Sequence, residues 1–298
     1  MGCAVIEVPA ELARIQSEIN GAEGREFVTA LPGRAERFLE EWELRRTGPA
    51  MHGWSALVLP VVAHDGTPAA LKLQLLDEES EGEAPALRAW NGDGAVRLLA
   101  DDPATGTLLL ERLDENRHLS AVADAREATR ILAELMARLV SVPAPAGLRR
   151  LGDVAARMLE DVDGAVRALE REEDRRLLRD CAAAVREVAG EPGDRLLHWD
   201  LHFDNVLASD REPWLAIDPK PLAGDPGFEL LPSLFNRFDP GDVLWRFDLL
   251  ADVLGLDRER AAAWTLGRVL QDSLWDVEDG ETVLEGERVV VARLLLGR

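Results

Sequence analysis

One stretch of this 298-residue chain concentrates residue types that can do chemistry: LLHWDLHFDNVLASDREPWLAIDPK, residues 196–220. It sets His198, Asp200 and Asn205 in a tight loop, follows them with the apolar runs VLA and WLAI, and places Asp218 just past the second run. Phosphoryl transfer needs few parts: a carboxylate that orients a hydroxyl nucleophile and accepts its proton, and oxygen ligands for magnesium. Asp200 can supply the first, and Asn205 with Asp218 the second. An Asx-rich turn between strands would account for any one of these residues, but not for the whole set at this spacing.

Lysine is the second signal. Among 34 basic residues the chain has lysine only at Lys72 and Lys220, so arginine serves wherever a generic positive charge suffices. Lys72 lies in the apolar run AALKLQLL, where a charged side chain must find a polar partner. Glu83 is the candidate we favour for that pairing, with Glu79 and Glu81 as competitors. Lys220 either contacts a metal-bound phosphate or fixes the loop after Asp218.

The spacing His-x-Asp-x-x-x-x-Asn, followed by a strand hairpin and Asp, resembles the catalytic loop and metal-binding Asp of kinases. In the form HWDLHFDNVL…AIDP it resembles the aminoglycoside phosphotransferase branch, and AWNGDGAVRLL, LLLERL and REPWLAIDPKPLAGDPGFELLPSLFNR extend the likeness over about residues 53–240. The family is that of aminoglycoside and hydroxyurea resistance kinases, which includes streptomycin 6-phosphotransferases. This resemblance implies an α+β, bilobal protein-kinase-like fold with a small β-rich N-lobe and a larger helical C-lobe. It also implies ATP and Mg2+ as cofactors and transfer of the γ-phosphate to an antibiotic hydroxyl, position 6 of streptomycin first among them. Carried over by residue, Asp200 is the catalytic base, Lys72 steadies the ATP phosphates with Glu83 orienting it, and Asn205 and Asp218 hold magnesium. The backbone of Glu111 to Leu113 meets the adenine edge. Two departures stand out: Trp199 occupies a loop position where the family commonly has glycine, and no Gly-x-Gly-x-x-Gly precedes Lys72, so Met51–Ser55 must cover the phosphates with a single glycine.

A polycationic acceptor favours carboxylates and aromatic faces; besides Asp200, we select Glu229, Asp272 and Trp275 as acceptor-site candidates. His202 reads as a loop-packing residue. The rivals are the same fold acting on hydroxyurea or another small metabolite, and a non-catalytic kinase-like binding protein, which would have no need of a base and two metal ligands.

Composition bounds these readings. A formal net charge of -22 opposes a nucleic-acid partner and attracts a cationic small molecule, although acidity also serves solubility alone. No apolar run approaches the roughly 20 residues of a membrane span, and the opening lacks a signal-peptide pattern, so a cytoplasmic protein, a monomer or weak dimer, is expected. Cys3 and Cys181 make no disulfide framework.

The elements that must position these residues follow from hydrophobic period. A short strand-like opening precedes helical material around RAERFLEEWELRR. Residues 55–63 and 69–75 read as a β-hairpin about the turn His64-Asp65-Gly66-Thr67. A helix is expected over Glu79–Trp90, with Pro85 tolerable only in its first turn, then strands at AVRLLA and TLLLERL. Helices follow over Ala123–Val142 and over 153–190, the latter broken near Gly164, with a loop-and-strand insert at 194–220 and helix again over 241–298. The expected division is a nucleotide-binding lobe, 1–113, and a catalytic and substrate-binding lobe, 114–298.

Overall fold

The computed structural model describes residues 6–297. Cys3 and most of the expected strand-like opening lie outside the described residues, and residues 6–9 are irregular. The chain separates into two compact units: one takes the chain up to Gly92 and Val96–Leu113, the other Asp93–Ala95 and everything from Asp114 on.

The first unit opens with helices α1 (Ala10–Ile19) and α2 (Gly21–Glu41). They are followed by strands β1 (Arg45–Arg46), β2 (Met51–His52), β3 (Ala56–Val62), β4 (Pro68–Gln74), helix α3 (Glu83–Trp90), β5 (Leu98–Asp102) and β6 (Thr107–Glu111). The strands form one antiparallel sheet in the order β1-β3-β4-β6-β5, with β2 also pairing β3. The β3–β4 hairpin falls where the Asp65-Gly66 turn puts it: Gly66 takes φ +91, which suits glycine alone, and the Asp65 carboxylate accepts the Thr67 N–H.

Alternation along these strands sorts the side chains by face. Leu57, Leu59 and Val61 of β3 and Ala69, Leu71 and Leu73 of β4 join a core with Leu12 of α1 and Phe27, Leu31, Ala35 and Phe38 of α2. Each large side chain removed from water there contributes about 1.5–3 kcal/mol. Lys72 and Gln74 therefore take the opposite face of β4. Helix α3 begins at Glu83 rather than at Glu79. The Asp77 carboxylate accepts the N–H groups of Glu79 and Ser80, tying residues 77–80 into an Asx turn, and the later start leaves Pro85 in the first helical turn, where its missing N–H costs nothing.

The second unit comprises β7 (Asp114–His118), α4 (Ala125–Leu139), α5 (Leu151–Ala168), α6 (Glu172–Val188), β8 (Arg195–Leu197), β9 (Val206–Ala208), β10 (Leu215–Ala216), β11 (Leu222–Gly224), α7 (Leu231–Leu234), α8 (Val243–Val253), α9 (Arg258–Glu278) and α10 (Gly286–Leu295). The break expected near Gly164 lies instead at Leu169–Arg171, where the backbone is extended. A helical glycine costs only about 1 kcal/mol, and Val162, Ala165 and Val166 around Gly164 are buried, so packing carries the helix through.

Two short pairings hold the residue 196–220 segment. β9 and β10 form a hairpin with Leu207 opposite Leu215 and Val206 opposite Ala216, and β8 pairs β11 with Leu197 opposite Leu222. Among the described residues no helix is long and apolar enough to cross a membrane.

Candidate active site

In the first unit, β4 and α3 bring Lys72 and Glu83 together. The Lys72 ammonium donates to both Glu83 oxygens, at 2.7 and 2.8 Å, and the Gln74 amide donates to the second at 2.7 Å. Lys72 is 5% and Glu83 1% exposed, which separates this pair from a solvated surface bridge of little worth. Glu81 is exposed and Glu79 half-buried; neither is the partner. Glu111 closes β6 with its N–H already donated to the Arg97 carbonyl. Of the backbone groups of Glu111 to Leu113 expected at the adenine edge, the Glu111 N–H is thus already engaged, and Leu113 is buried.

In the second unit the loop between β8 and β9 is fixed from several sides. His198 is fully buried; its Nε2 donates to the Ile217 carbonyl at 2.9 Å and its Nδ1 accepts the Asp200 N–H at 3.4 Å. Those two bonds require the neutral ring, and burial agrees by pushing the imidazole pKa down to about 3. The Lys220 N–H donates to the His198 carbonyl at 2.9 Å, so His198 ties the loop to the segment carrying Asp218.

Trp199, next to the proposed base, takes φ +67, a left-handed conformation that costs a side-chain-bearing residue about 1–2 kcal/mol. Its surroundings impose it. The Glu229 carboxylate accepts the His198 N–H and the Trp199 N–H, each at 3.1 Å, while the indole packs among Phe228, Trp275, Arg149 and Arg268.

Glu229 thus differs from the sequence expectation. It is fully buried, with both oxygens turned onto the loop backbone, and it shapes the catalytic loop from behind instead of facing an acceptor. Burial is the first cause of its pKa being pushed up to about 8, against the two backbone donors that favour the ionised form.

Asp200 is half-buried. Desolvation raises its pKa, and Asp218 adds to that rise, while His202, Arg268 and Lys220 oppose it; a raised pKa is the direction a general base would need. The Asn205 Nδ2 donates to the Asp200 main-chain oxygen at 2.8 Å and to its Oδ2 at 3.3 Å. The amide nitrogen is thereby occupied, and Oδ1 is the atom left for a cation. The Ile217 N–H bonds the Asn205 carbonyl at 2.9 Å, so the hairpin register sets Asp218, at φ +57, beside Asn205. One amide oxygen and one carboxylate fit magnesium, which commonly takes few protein ligands and completes its shell with water and phosphate oxygens. The Lys220 ammonium lies 3.9 Å from Asp218 Oδ1. His202 caps the turn at Phe203–Asn205 by accepting the Asp204 N–H at 3.3 Å, a packing role as expected.

The remaining acceptor-site candidates sit together on α9. Asp272 meets the Arg268 guanidinium at 2.9 Å, and Trp275 is 38% exposed with its ring centroid 6.1 Å from that of Trp199. Sequence reasoning missed the supports behind the loop. Asn236 Oδ1 accepts the Phe203 N–H at 2.9 Å, and buried Arg246 donates to the main-chain oxygens of Asn236 and Arg237. An arginine in the apolar stretch VLWRFDLL was the available signal.

Comparison with known proteins fits this arrangement. Residues 41–280 match the family described as aminoglycoside/hydroxyurea antibiotic resistance kinase. The chain is 66% identical over 297 residues to a hydroxyurea phosphotransferase of Kitasatospora aureofaciens, covering 99% of this chain and 87% of that protein. It is 55% identical over 301 residues to a streptomycin 6-kinase of Streptomyces glaucescens, covering 98% of each. Its fold is that of an aminoglycoside phosphotransferase solved as a ternary complex with AMP-PNP and hygromycin B: TM-score 0.60, 14% identity, 88% of this chain and 99% of that one.

Proposed function

As this chain belongs to the aminoglycoside/hydroxyurea antibiotic resistance kinase family, we propose that it transfers the γ-phosphate of ATP to a hydroxyl of an aminoglycoside, position 6 of streptomycin first among the acceptors. The observation that carries the reading is the loop of the second unit, where Asp200 is held by Asn205 and His198 and the Trp199 N–H before it is held by Glu229.

Magnesium-bound ATP, when present, supplies the transferable phosphoryl group and neutralises charge developing on its oxygens. Asp200 orients the acceptor hydroxyl and takes its proton, Asn205 Oδ1 and the Asp218 carboxylate would hold the metal, and the Lys72 ammonium, aimed by Glu83, steadies phosphate oxygens. The segment Glu111 to Leu113 presents backbone groups to the adenine. Positioning and electrostatic complementarity provide nearly all the catalysis in such a reaction. Trp275 and the acidic character of the chain favour a cationic acceptor.

A second acceptor, hydroxyurea, is favoured by the 66% identity to a hydroxyurea phosphotransferase, against 55% to a streptomycin 6-kinase. The test is ATP consumption, with mass detection of the product, over a panel of aminoglycosides with hydroxyurea included. Acceptor-dependent turnover with streptomycin supports the first reading, turnover with hydroxyurea alone supports the second, and none with any acceptor favours a binding protein built on the same fold.

A further inference from the structure

The side chains facing the loop from α9 carry a charge arrangement that the reaction itself does not require. Arg268, Asp272 and Trp275 stand at spacings of four and three, one stripe of the helix. The Arg268 guanidinium lies 4.8 Å from the Trp199 ring centroid, 5.6 Å from that of Trp275 and 5.9 Å from that of Phe228. Its Nη1 is 3.5 Å from the Trp199 carbonyl oxygen, the oxygen of the peptide leading into Asp200. A cation is therefore built in next to the proposed base of an enzyme whose family includes kinases of cationic acceptors.

That cation is compensated locally. Arg268 Nε and Asp272 Oδ1 are 2.9 Å apart, with side chains 11% and 18% exposed, and they meet as charges without an aligned hydrogen bond. One turn further along, Arg288 donates a hydrogen bond to Asp276 at 2.5 Å. Asp272 and Asp276 thus come with their own counter-ions, and the Arg268–Asp272–Trp275 stripe beside the loop is neutral in sum. A pair so withdrawn from water adds little net stability over apolar side chains of the same volume. Stability alone does not account for such a pair, and discrimination by charge is a role that a fixed pair performs well.

We propose that the Arg268–Asp272 pair sets the acceptor charge preference of the site, holding the α9 stripe neutral so that acceptors with uncharged flanks compete with polycations. This inference rests on the phosphotransferase reading. Removing the arginine leaves Asp272, whose pKa burial already raises, without its counter-ion; at a pH high enough to keep it ionised it attracts guanidinium and ammonium groups, whereas removing the carboxylate leaves a cation that repels them. A neutral acceptor such as hydroxyurea responds weakly to either change.

The experiment is a double-mutant cycle of Arg268→Gln and Asp272→Asn, reading kcat/KM with saturating Mg-ATP for streptomycin and for hydroxyurea. Changes common to both acceptors, such as a displaced loop, cancel in the ratio. Arg268→Gln is expected to raise the streptomycin-to-hydroxyurea ratio about tenfold or more, and Asp272→Asn to lower it by a similar factor. The double variant returns to within about threefold of the wild-type ratio. Should a neutralised variant fail to fold, Arg268→Lys and Asp272→Glu keep the charges and are expected to keep the ratio; a ratio that moves about tenfold in these overturns the proposal. So does a parallel loss for both acceptors in the single variants, which leaves the pair a purely structural one. Wild-type protein that phosphorylates no acceptor of the aminoglycoside panel, hydroxyurea included, overturns the phosphotransferase reading, and the proposal with it.

Discussion

Replacing Glu229 by Gln separates what this carboxylate does for the loop from what it does for folding. In the native protein its two oxygens accept the N–H groups of His198 and Trp199. Glutamine keeps one acceptor and turns an amide donor toward the other N–H, so one buried donor loses its partner at a cost of about 1–3 kcal/mol. Against this stands the cost of the buried charge. With its pKa raised from 4.5 to about 8, Glu229 binds a proton more tightly in the native state than in the unfolded chain. Its contribution to stability is fully present below pH 4.5 and is lost as the pH rises toward 8, which amounts to about 4 kcal/mol by pH ~7.5. Glutamine, which does not titrate, removes that loss while weakening the hold on the loop. The variant is therefore expected to lie within about 3 kcal/mol of wild type near neutral pH, with the two costs opposed, and to lose the decline in stability between pH ~5 and ~8 that Glu229 contributes. Its kcat is expected to fall at least about tenfold, because the peptide before Asp200 is no longer held at the left-handed Trp199. Urea unfolding of both proteins at several pH values, alongside kcat, measures all three quantities. A variant whose stability keeps the wild-type pH slope would refute the assignment of the raised pKa, and an unchanged kcat would refute the positioning role.

Glu83→Ala removes the carboxylate that accepts two hydrogen bonds from the buried Lys72 ammonium; a loss of a few kcal/mol, up to about 3–5, in stability and a rise of at least about tenfold in KM for ATP are expected, measured by denaturant unfolding and steady-state kinetics, whereas Glu81→Ala should change neither. Asp218→Asn offers magnesium an uncharged oxygen and should abolish the stimulation of nucleotide binding by magnesium; titration of ATP with and without the metal reads this directly, and equal magnesium dependence in both proteins would remove Asp218 from the metal site.

Much of the site was legible because its chemistry is local in sequence. His198, Asp200, Asn205 and Asp218 fall within one short segment, and the β9–β10 hairpin between them is encoded in adjacent apolar runs. Lys72 announced itself as a lone lysine in an apolar strand, and Glu83 followed as its partner across one turn and the start of a helix. The rule that found Lys72 also applies to Glu229, an acid in the apolar run GFELLPSL, and to Arg268 in an apolar helix. Glu229 meets backbone N–H groups 31 and 30 residues away, and Arg268 reaches the Trp199 carbonyl 69 residues away besides its near neighbour Asp272, so the reading placed Glu229 at the acceptor and passed over Arg268. Element boundaries erred for a related reason. The Asx turn at Asp77 delays α3 and tertiary packing carries α5 through Gly164, neither of which hydrophobic period alone can register. The polar strand β7, DENRH, shows no alternation to betray it, since its pairing with β9 depends on the folded second unit.

The central claim, that Asp200 is the base of a phosphotransferase, is tested most directly by Asp200→Asn with the phosphorylated product measured by mass and the ATP dissociation constant determined in parallel. The amide preserves side-chain size and can still accept a hydrogen bond, yet it takes up no proton and carries no charge. The account predicts that kcat falls by at least about 100-fold, the usual contribution of a positioned general base, while ATP affinity changes by less than about threefold. Undiminished phosphorylation by Asp200→Asn would contradict the mechanism.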